Sequence, residues 1–279
     1  MDQDRQGGTE MTELFSRDTH MQSRRSSKGN QMKFERDHIW YKADYLGYEG
    51  LAEYIVSGLL HFSNLETGEF VDYDLEQIMY NGQAFNACKS RDFTDGFQLI
   101  TLERLLTLAY GQGLNQVVYA IDNHTERLKT LVELTERVTG IRSFGPYMAK
   151  LITIDTLFLN EDRHAHNLAI LTKDLKDFRL CPIFDNGAAL LSDTTLDYPK
   201  GRDPLVMIPQ AKPKTFCDTF DEQLDIAETL YGTQIRFNFS YHEVNALLDK
   251  ADIYPYEIRN RVAEIIMSQK RKYGYLFIR

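Results

Sequence analysis

Two short apolar runs, LAILT (168–172) and FRLCPIF (178–184), interrupt the helical second half of this chain. The polar stretch KDLKD joins them, so they read as a β-hairpin. Antiparallel pairing would set Leu168 roughly opposite Phe184 and bring Asn167 and Asp185, just outside that pair, to a Cα separation of about 5 Å. An amide oxygen and a carboxylate at one end of a hairpin are hard oxygen ligands of the kind Mg²⁺ prefers. Asp162 lies on the loop entering the hairpin, where a carboxylate would accept a proton from an attacking hydroxyl.

The surrounding periodicity sets the rest of the architecture. Residues 102–159 and 219–279 read as helical, as in HTERLKTLVELTERV and GPYMAKLITIDTLFL. In YEIRNRVAEIIMSQ, Ile258, Val262, Ile265 and Ile266 form one apolar face. The first hundred residues differ. QMKFE and HIWYKA flank Arg36-Asp37 as a tight hairpin, and YEGLAEYIVSGLLHF repeats Leu51, Tyr54, Ile55 and Leu59 at helical spacing. Further strands are expected at Thr12–Phe15, Gly68–Tyr73 and Phe97–Thr101. Residues 1–25, poor in core formers, are expected to be mostly mobile.

Charge and cysteine usage exclude several functions. With 41 acidic and 32 basic residues the net charge is −9, which disfavours direct binding of nucleic acid or of anionic membrane. Cys88, Cys181 and Cys217 are scattered, without CxxC spacing, and fit a reducing compartment. No apolar run is long enough for a membrane span, and the N-terminus lacks the apolar region of a signal peptide. A cytoplasmic protein without a membrane partner is expected.

The order Asp162, four residues, Asn167, a hairpin, then Asp185-Asn-Gly187 is the layout of a kinase catalytic loop followed by its metal loop. Asp162 would be the base, and Asn167 and Asp185 the Mg²⁺ ligands. A histidine metal centre on His164 and His166 is the alternative at this loop, but no other histidine forms an HxxxH or HEXXH pair with them. His164 is expected to organise the loop through backbone hydrogen bonds.

The segment DRHAHN…PIFDNG resembles the HipA-like serine/threonine kinases. SSKGNQMKF (26–34) resembles their Ser-x-x-Gly-x-Gln-x-Lys phosphate loop, matched by Ser26, Gly29, Gln31 and Lys33. The resemblance spans residues 26 to about 190 and implies an α+β, two-lobed protein-kinase-like fold. Residues 1–25 would be a flexible segment, 26–102 a small β-rich N-lobe and 103–279 a mainly helical C-lobe. It implies ATP and Mg²⁺ as cofactors, with Lys42 on the nucleotide phosphates and paired with Glu53 rather than Glu49. The backbone of Leu102, Glu103 and Arg104 would hold adenine, and His164 would lie at the ATP site. Ser26 is the candidate for autophosphorylation, which would add negative charge beside the nucleotide phosphates and switch the enzyme off. Partners implied are a protein substrate such as a translation factor and a helix-turn-helix antitoxin. The N-terminal subdomain usual in HipA toxins is expected to be absent or encoded separately, since only residues 1–25 precede the loop. A phosphoinositide-kinase-like lipid kinase, whose loop also runs D-R-H-x-x-N, and a pseudokinase-like partner-binding module remain the alternatives.

Overall fold

The computed structural model describes residues 11–19, 31–164 and 167–278. Strands β1 (Thr12–Leu14), β2 (Lys33–Arg36), β3 (Ile39–Ala43), β4 (Asp74–Tyr80) and β5 (Gln83–Arg91) form one sheet in the order β1-β4-β5-β3-β2. β1 runs parallel to β4 and the other pairings are antiparallel. A second sheet, β6-β7-β8, is built from Gln98–Thr101, Ala169–Lys173 and Asp177–Leu180.

Two hairpins close on two-residue turns in the left-handed region, Asp37-His38 and Asn81-Gly82, and a third, β7–β8, on the three residues 174–176, of which Asp174 and Leu175 are left-handed. Such turns match the right-handed twist of the strands they join. The first turn lies one residue later than expected, because Arg36 is still paired, with Ile39. The expected strand at Gly68–Tyr73 does not form. That segment makes one isolated parallel bridge, Phe70 to Ile183, and the strands lie instead on either side of Asn81-Gly82.

The helices are α1 (Glu49–Leu60), α2 (Leu102–Tyr110), α3 (Leu114–Val117), α4 (His124–Thr139), α5 (Phe144–Phe158), α6 (Pro204–Met207), α7 (Phe220–Tyr231), α8 (Tyr241–Asp249) and α9 (Tyr256–Lys272). The largest apolar core lies among α2, α4, α5, α7 and α9 and takes in α1, through Leu51, Ile55, Leu59 and Leu60. A smaller core of Leu14, Phe34, Tyr41, Ala43, Ile78 and Ala87 belongs to the five-stranded sheet. The expected division at 102/103 falls in the first turn of α2, and β6 just before it pairs with β7 beyond it. Among the described residues no helix is long and apolar enough to cross a membrane. The three cysteines are buried, unpaired thiols.

The start of α1 is fixed from two directions. Glu49 accepts hydrogen bonds from the backbone of Tyr45, Leu46 and Gly47, and Asp44 accepts from Gly50 N at 2.6 Å and Tyr254 OH at 2.8 Å. On the other side the backbone of Gly47 meets the segment after Asp185: a Cβ at Gly47 would lie 1.9 Å from the Ser192 carbonyl oxygen. Only glycine permits that approach.

Burial and the neighbouring Glu49 push the Asp44 carboxyl up from 3.8 to about 8. A carboxyl raised on folding takes up a proton as the chain folds. Its contribution is therefore complete below about pH 4 and lost as pH rises through about 8. Thermal melts between pH 5 and 9 should show stability falling with pH, and Asp44→Asn should flatten that slope.

Candidate active site

Two carboxylates and a phenol converge on one ammonium group. Lys42 Nζ, on β3, lies 2.5 Å from Glu53 Oε1 of α1 and 2.9 Å from Asp185 Oδ1, and donates to Tyr73 OH at 3.2 Å. Lys42 is 7% exposed and Glu53 is fully buried. Burial by itself would push the Lys42 ammonium down. The Asp185 and Glu53 carboxylates outweigh it and hold the group well above its ordinary range. Glu53, not Glu49, makes this pair.

Lys33 stands directly opposite Lys42 on β2, a like-charge pair that would be unfavourable alone. Asp185 resolves it, with Oδ1 4.0 Å from Lys33 Nζ as well. Desolvation opposes ionisation of Asp185, yet the two lysines and Arg163 hold its carboxyl far below the usual carboxylate range. Asp185 has φ of +65°, a conformation uncommon for a residue with a side chain. Its surroundings impose it: Asn160 Nδ2 donates to the Asp185 carbonyl at 3.2 Å, and the next amide, Asn186 N, donates to Glu53 Oε2 at 2.7 Å. One glutamate thus holds both the lysine and the backbone that follows Asp185.

A second buried pair anchors the preceding loop. Arg163, 1% exposed, grips Asp155 of α5 through Nε and Nη2 at 3.1–3.3 Å. The same guanidinium donates to the Phe184 carbonyl at 2.7 Å and to Asn186 Oδ1 at 3.0 Å. The loop that carries Asp162 and the segment around Asp185 are therefore tied to each other and to the helical core. Neither Arg163 nor Asp155 stands out by role in the motif. The available signal was the lone acid inside the apolar run LITIDTLFL.

The loop itself is compact. His164 N donates to the Asp162 carbonyl at 2.9 Å, and Asn167 N donates to the His164 carbonyl at 2.8 Å, so His164 organises the turn. Asn167 Nδ2 donates to the Asp162 carbonyl at 2.8 Å, so Oδ1 is the oxygen of that amide which could hold a metal. The Asp162 carboxylate lies 3.5 Å from Lys214 Nζ. The expected register needs correction. The β7–β8 ladder pairs Ile170 with Leu180, so Leu168 falls level with Pro182 rather than Phe184, and Asn167 is not directly opposite Asp185. Beyond Leu180 the chain leaves the ladder because Ile183 N bonds the Glu69 carbonyl, and Val71 N the Ile183 carbonyl.

The other expected nucleotide-binding residues have different settings. Ser26, Gly29 and His166 lie outside the described residues. Gln31 is described, and its Nε2 is buried with no hydrogen-bond partner, a costly state for an amide unless a ligand meets it. Leu102, Glu103 and Arg104 form the first turn of α2, directly after β6. Leu102 N bonds the Leu168 carbonyl, Arg104 N bonds the Thr101 side chain, and the Glu103 carboxylate accepts from Leu114 N. The extended backbone here is β6, whose second edge pairs with no strand among the described residues.

Elsewhere, His124, Cys217 and Glu222 bring three potential ligand atoms within 4.8 Å of one another. His124 and Glu222 open α4 and α7, where helix dipoles favour anions, and the Arg127 charge acts on Cys217. Burial pushes the Cys217 thiol up to about 12, and the surroundings suit the His124–Glu222 hydrogen bond of 2.7 Å better than a cation.

Removing one member of the Asp155–Arg163 pair strands a buried charge. Asp155→Leu or Arg163→Met should each cost about 3–5 kcal/mol in denaturant titrations, and the two together less than the two singles summed.

No protein-family model matches the chain, and no curated protein matches it in sequence. Among solved structures it is similar to the crystal structure of a Helicobacter pylori proinflammatory kinase, CtkA. The TM-score is 0.64 at 14% identity, with 96% of this chain and 97% of that chain covered. At that identity the likeness is one of fold. The protein has an α+β, protein-kinase-like fold, with a β-rich N-terminal part and a mainly helical C-terminal part.

Proposed function

We propose that this protein is an ATP-dependent serine/threonine protein kinase of HipA type. The observation that carries the reading is the meeting of Lys42, Glu53 and Asp185, at 2.5 and 2.9 Å, beside a loop that presents Asp162 and Asn167. Two further features support a nucleotide: Lys33 and Lys42 side by side, and the unpartnered Gln31 amide in the segment that resembles the HipA phosphate loop.

The donor set fits Mg²⁺. Asp185 and the Asn167 side-chain oxygen are hard oxygen donors, few in number, as this ion requires when water and phosphate complete its shell. When bound, the ion offsets negative charge on the transferring phosphoryl group. Lys42 neutralises charge on the α- and β-phosphates, and Glu53 keeps its ammonium in place. Adenine lies against the outer edge of β6 and the start of α2. Asp162 orients the acceptor hydroxyl and takes its proton. Most of the rate enhancement then comes from positioning and electrostatics. The motif resemblance further suggests a translation factor as the protein substrate, a helix-turn-helix antitoxin as partner, and Ser26 as a site of autophosphorylation.

Purified protein should be incubated with Mg²⁺ and γ-labelled ATP, with casein and phosphoinositide vesicles as acceptors. Phosphate should appear on protein, including the peptide spanning 20–35, and Asp162→Asn should lower transfer by about 10²–10⁴-fold while Mg·ATP still binds. Asp185→Asn should weaken Mg²⁺-dependent nucleotide binding. Transfer to vesicles alone would select the lipid-kinase alternative. Unchanged transfer in Asp162→Asn would refute the assignment of the base.

A further inference from the structure

Arg163, the cation within the loop sequence, points away from the chemistry. It is buried and bonded to Asp155, the Phe184 carbonyl and Asn186. Phosphoryl transfer nevertheless benefits from a cation at the acceptor side, because charge spreads over the three equatorial oxygens of the moving group.

The chain brings one from elsewhere. Lys214, in the segment between α6 and α7, has its Nζ 3.5 Å from Asp162 Oδ1. The backbone on both sides of it is fastened to the catalytic loop. Lys212 N donates to Glu161 Oε1 at 3.0 Å, and the Thr215 hydroxyl donates to the Arg163 carbonyl. Glu161 and Arg163 are the two neighbours of Asp162, so the position of Lys214 follows that of the base. Farther along, Phe216 N donates to Gln223 Oε1 at 3.0 Å and Arg127 Nη1 to the Phe216 carbonyl at 2.9 Å. Pro213, Thr215 and Phe216 are buried, whereas the Lys214 side chain is 39% exposed. With its lysine partly exposed and 3.5 Å between the charged atoms, the pair contributes modestly to stability and does not by itself account for so firmly held a segment.

We propose that Lys214 is a catalytic residue that binds the γ-phosphate of ATP, supplying a cation to the acceptor side from a distant segment. This rests on the nucleotide-site reading above. In the transfer, the acceptor hydroxyl oxygen forms a bond to the γ-phosphorus. The bond from that phosphorus to the β–γ bridging oxygen breaks, and ADP leaves with the electron pair. The hydroxyl proton passes to Asp162. Lys214 moves its ammonium from the Asp162 carboxylate to the equatorial oxygens, which neutralises their charge and leaves the carboxylate oxygen open to the proton. A lysine suits this task as a compact point charge on a flexible stem.

The test is calorimetric titration, in Mg²⁺, of ADP and of a non-hydrolysable ATP analogue into wild type, Lys214→Gln and Lys214→Arg. Loss of one charged hydrogen bond should weaken the analogue about tenfold or more in Lys214→Gln, with ADP affinity unchanged. Lys214→Arg should keep most of the triphosphate preference. Equal triphosphate preference in wild type and Lys214→Gln would overturn the proposal. A wild-type protein that binds neither nucleotide would overturn the nucleotide-site reading itself, and this inference with it, which is a different result.

Discussion

A lysine ammonium with almost no access to water is tolerable only if carboxylates surround it. Lys42 meets that condition through Glu53 and Asp185, and the requirement organises the site. Glu53 sits on α1, so α1 must lie against the sheet at one rotation and one height. Its second oxygen holds Asn186 N, so the backbone after Asp185 is set by the same carboxylate. Moving any one of β3, α1 or the segment at Asp185 would leave a buried charge without compensation. That makes the arrangement close to all-or-none.

The Arg163–Asp155 pair repeats this logic one layer deeper. It binds the loop that carries Asp162 to α5 and, through the Phe184 carbonyl and Asn186, to the segment on either side of Asp185. The two buried charge groups share Asn186 as a go-between, its amide on Glu53 and its side chain on Arg163. The segment after Asp185 adds a third constraint. Ser192 accepts from Tyr48 N through its carbonyl, Tyr48 OH donates to the Leu190 carbonyl, and Arg261 of α9 donates to the Tyr198 carbonyl. The start of α1 is thus tied to the same stretch of chain as the helical core.

Much of this was legible in the sequence wherever a local pattern carried the information. The hairpin at 168–184, α1 with Glu53 toward Lys42, and the long helices beyond Leu102 follow from periodicity and turn residues. The β4–β5 hairpin carried an equally local signal, Asn81-Gly82, and its polar, mixed flanks concealed it. The β7–β8 register was misjudged because both runs look long enough to pair throughout. Two hydrogen bonds to Glu69 and Val71 draw Ile183 out of the ladder, and nothing within the hairpin announces them.

The sequence by itself determined which chemical groups exist and in what order: a lysine on a strand, a glutamate on the next helix, then Asp, Asn and Asp around a hairpin. Local propensity and alternation suffice for that, because they depend on neighbours a few residues apart. Tertiary structure decided which charges meet. Lys42 finds Glu53 across 11 residues and Asp185 across 143, and Asp162 finds Lys214 in a segment with no regular period. Those meetings depend on how apolar faces pack at a distance, and packing fixes relative positions that no short stretch of sequence encodes.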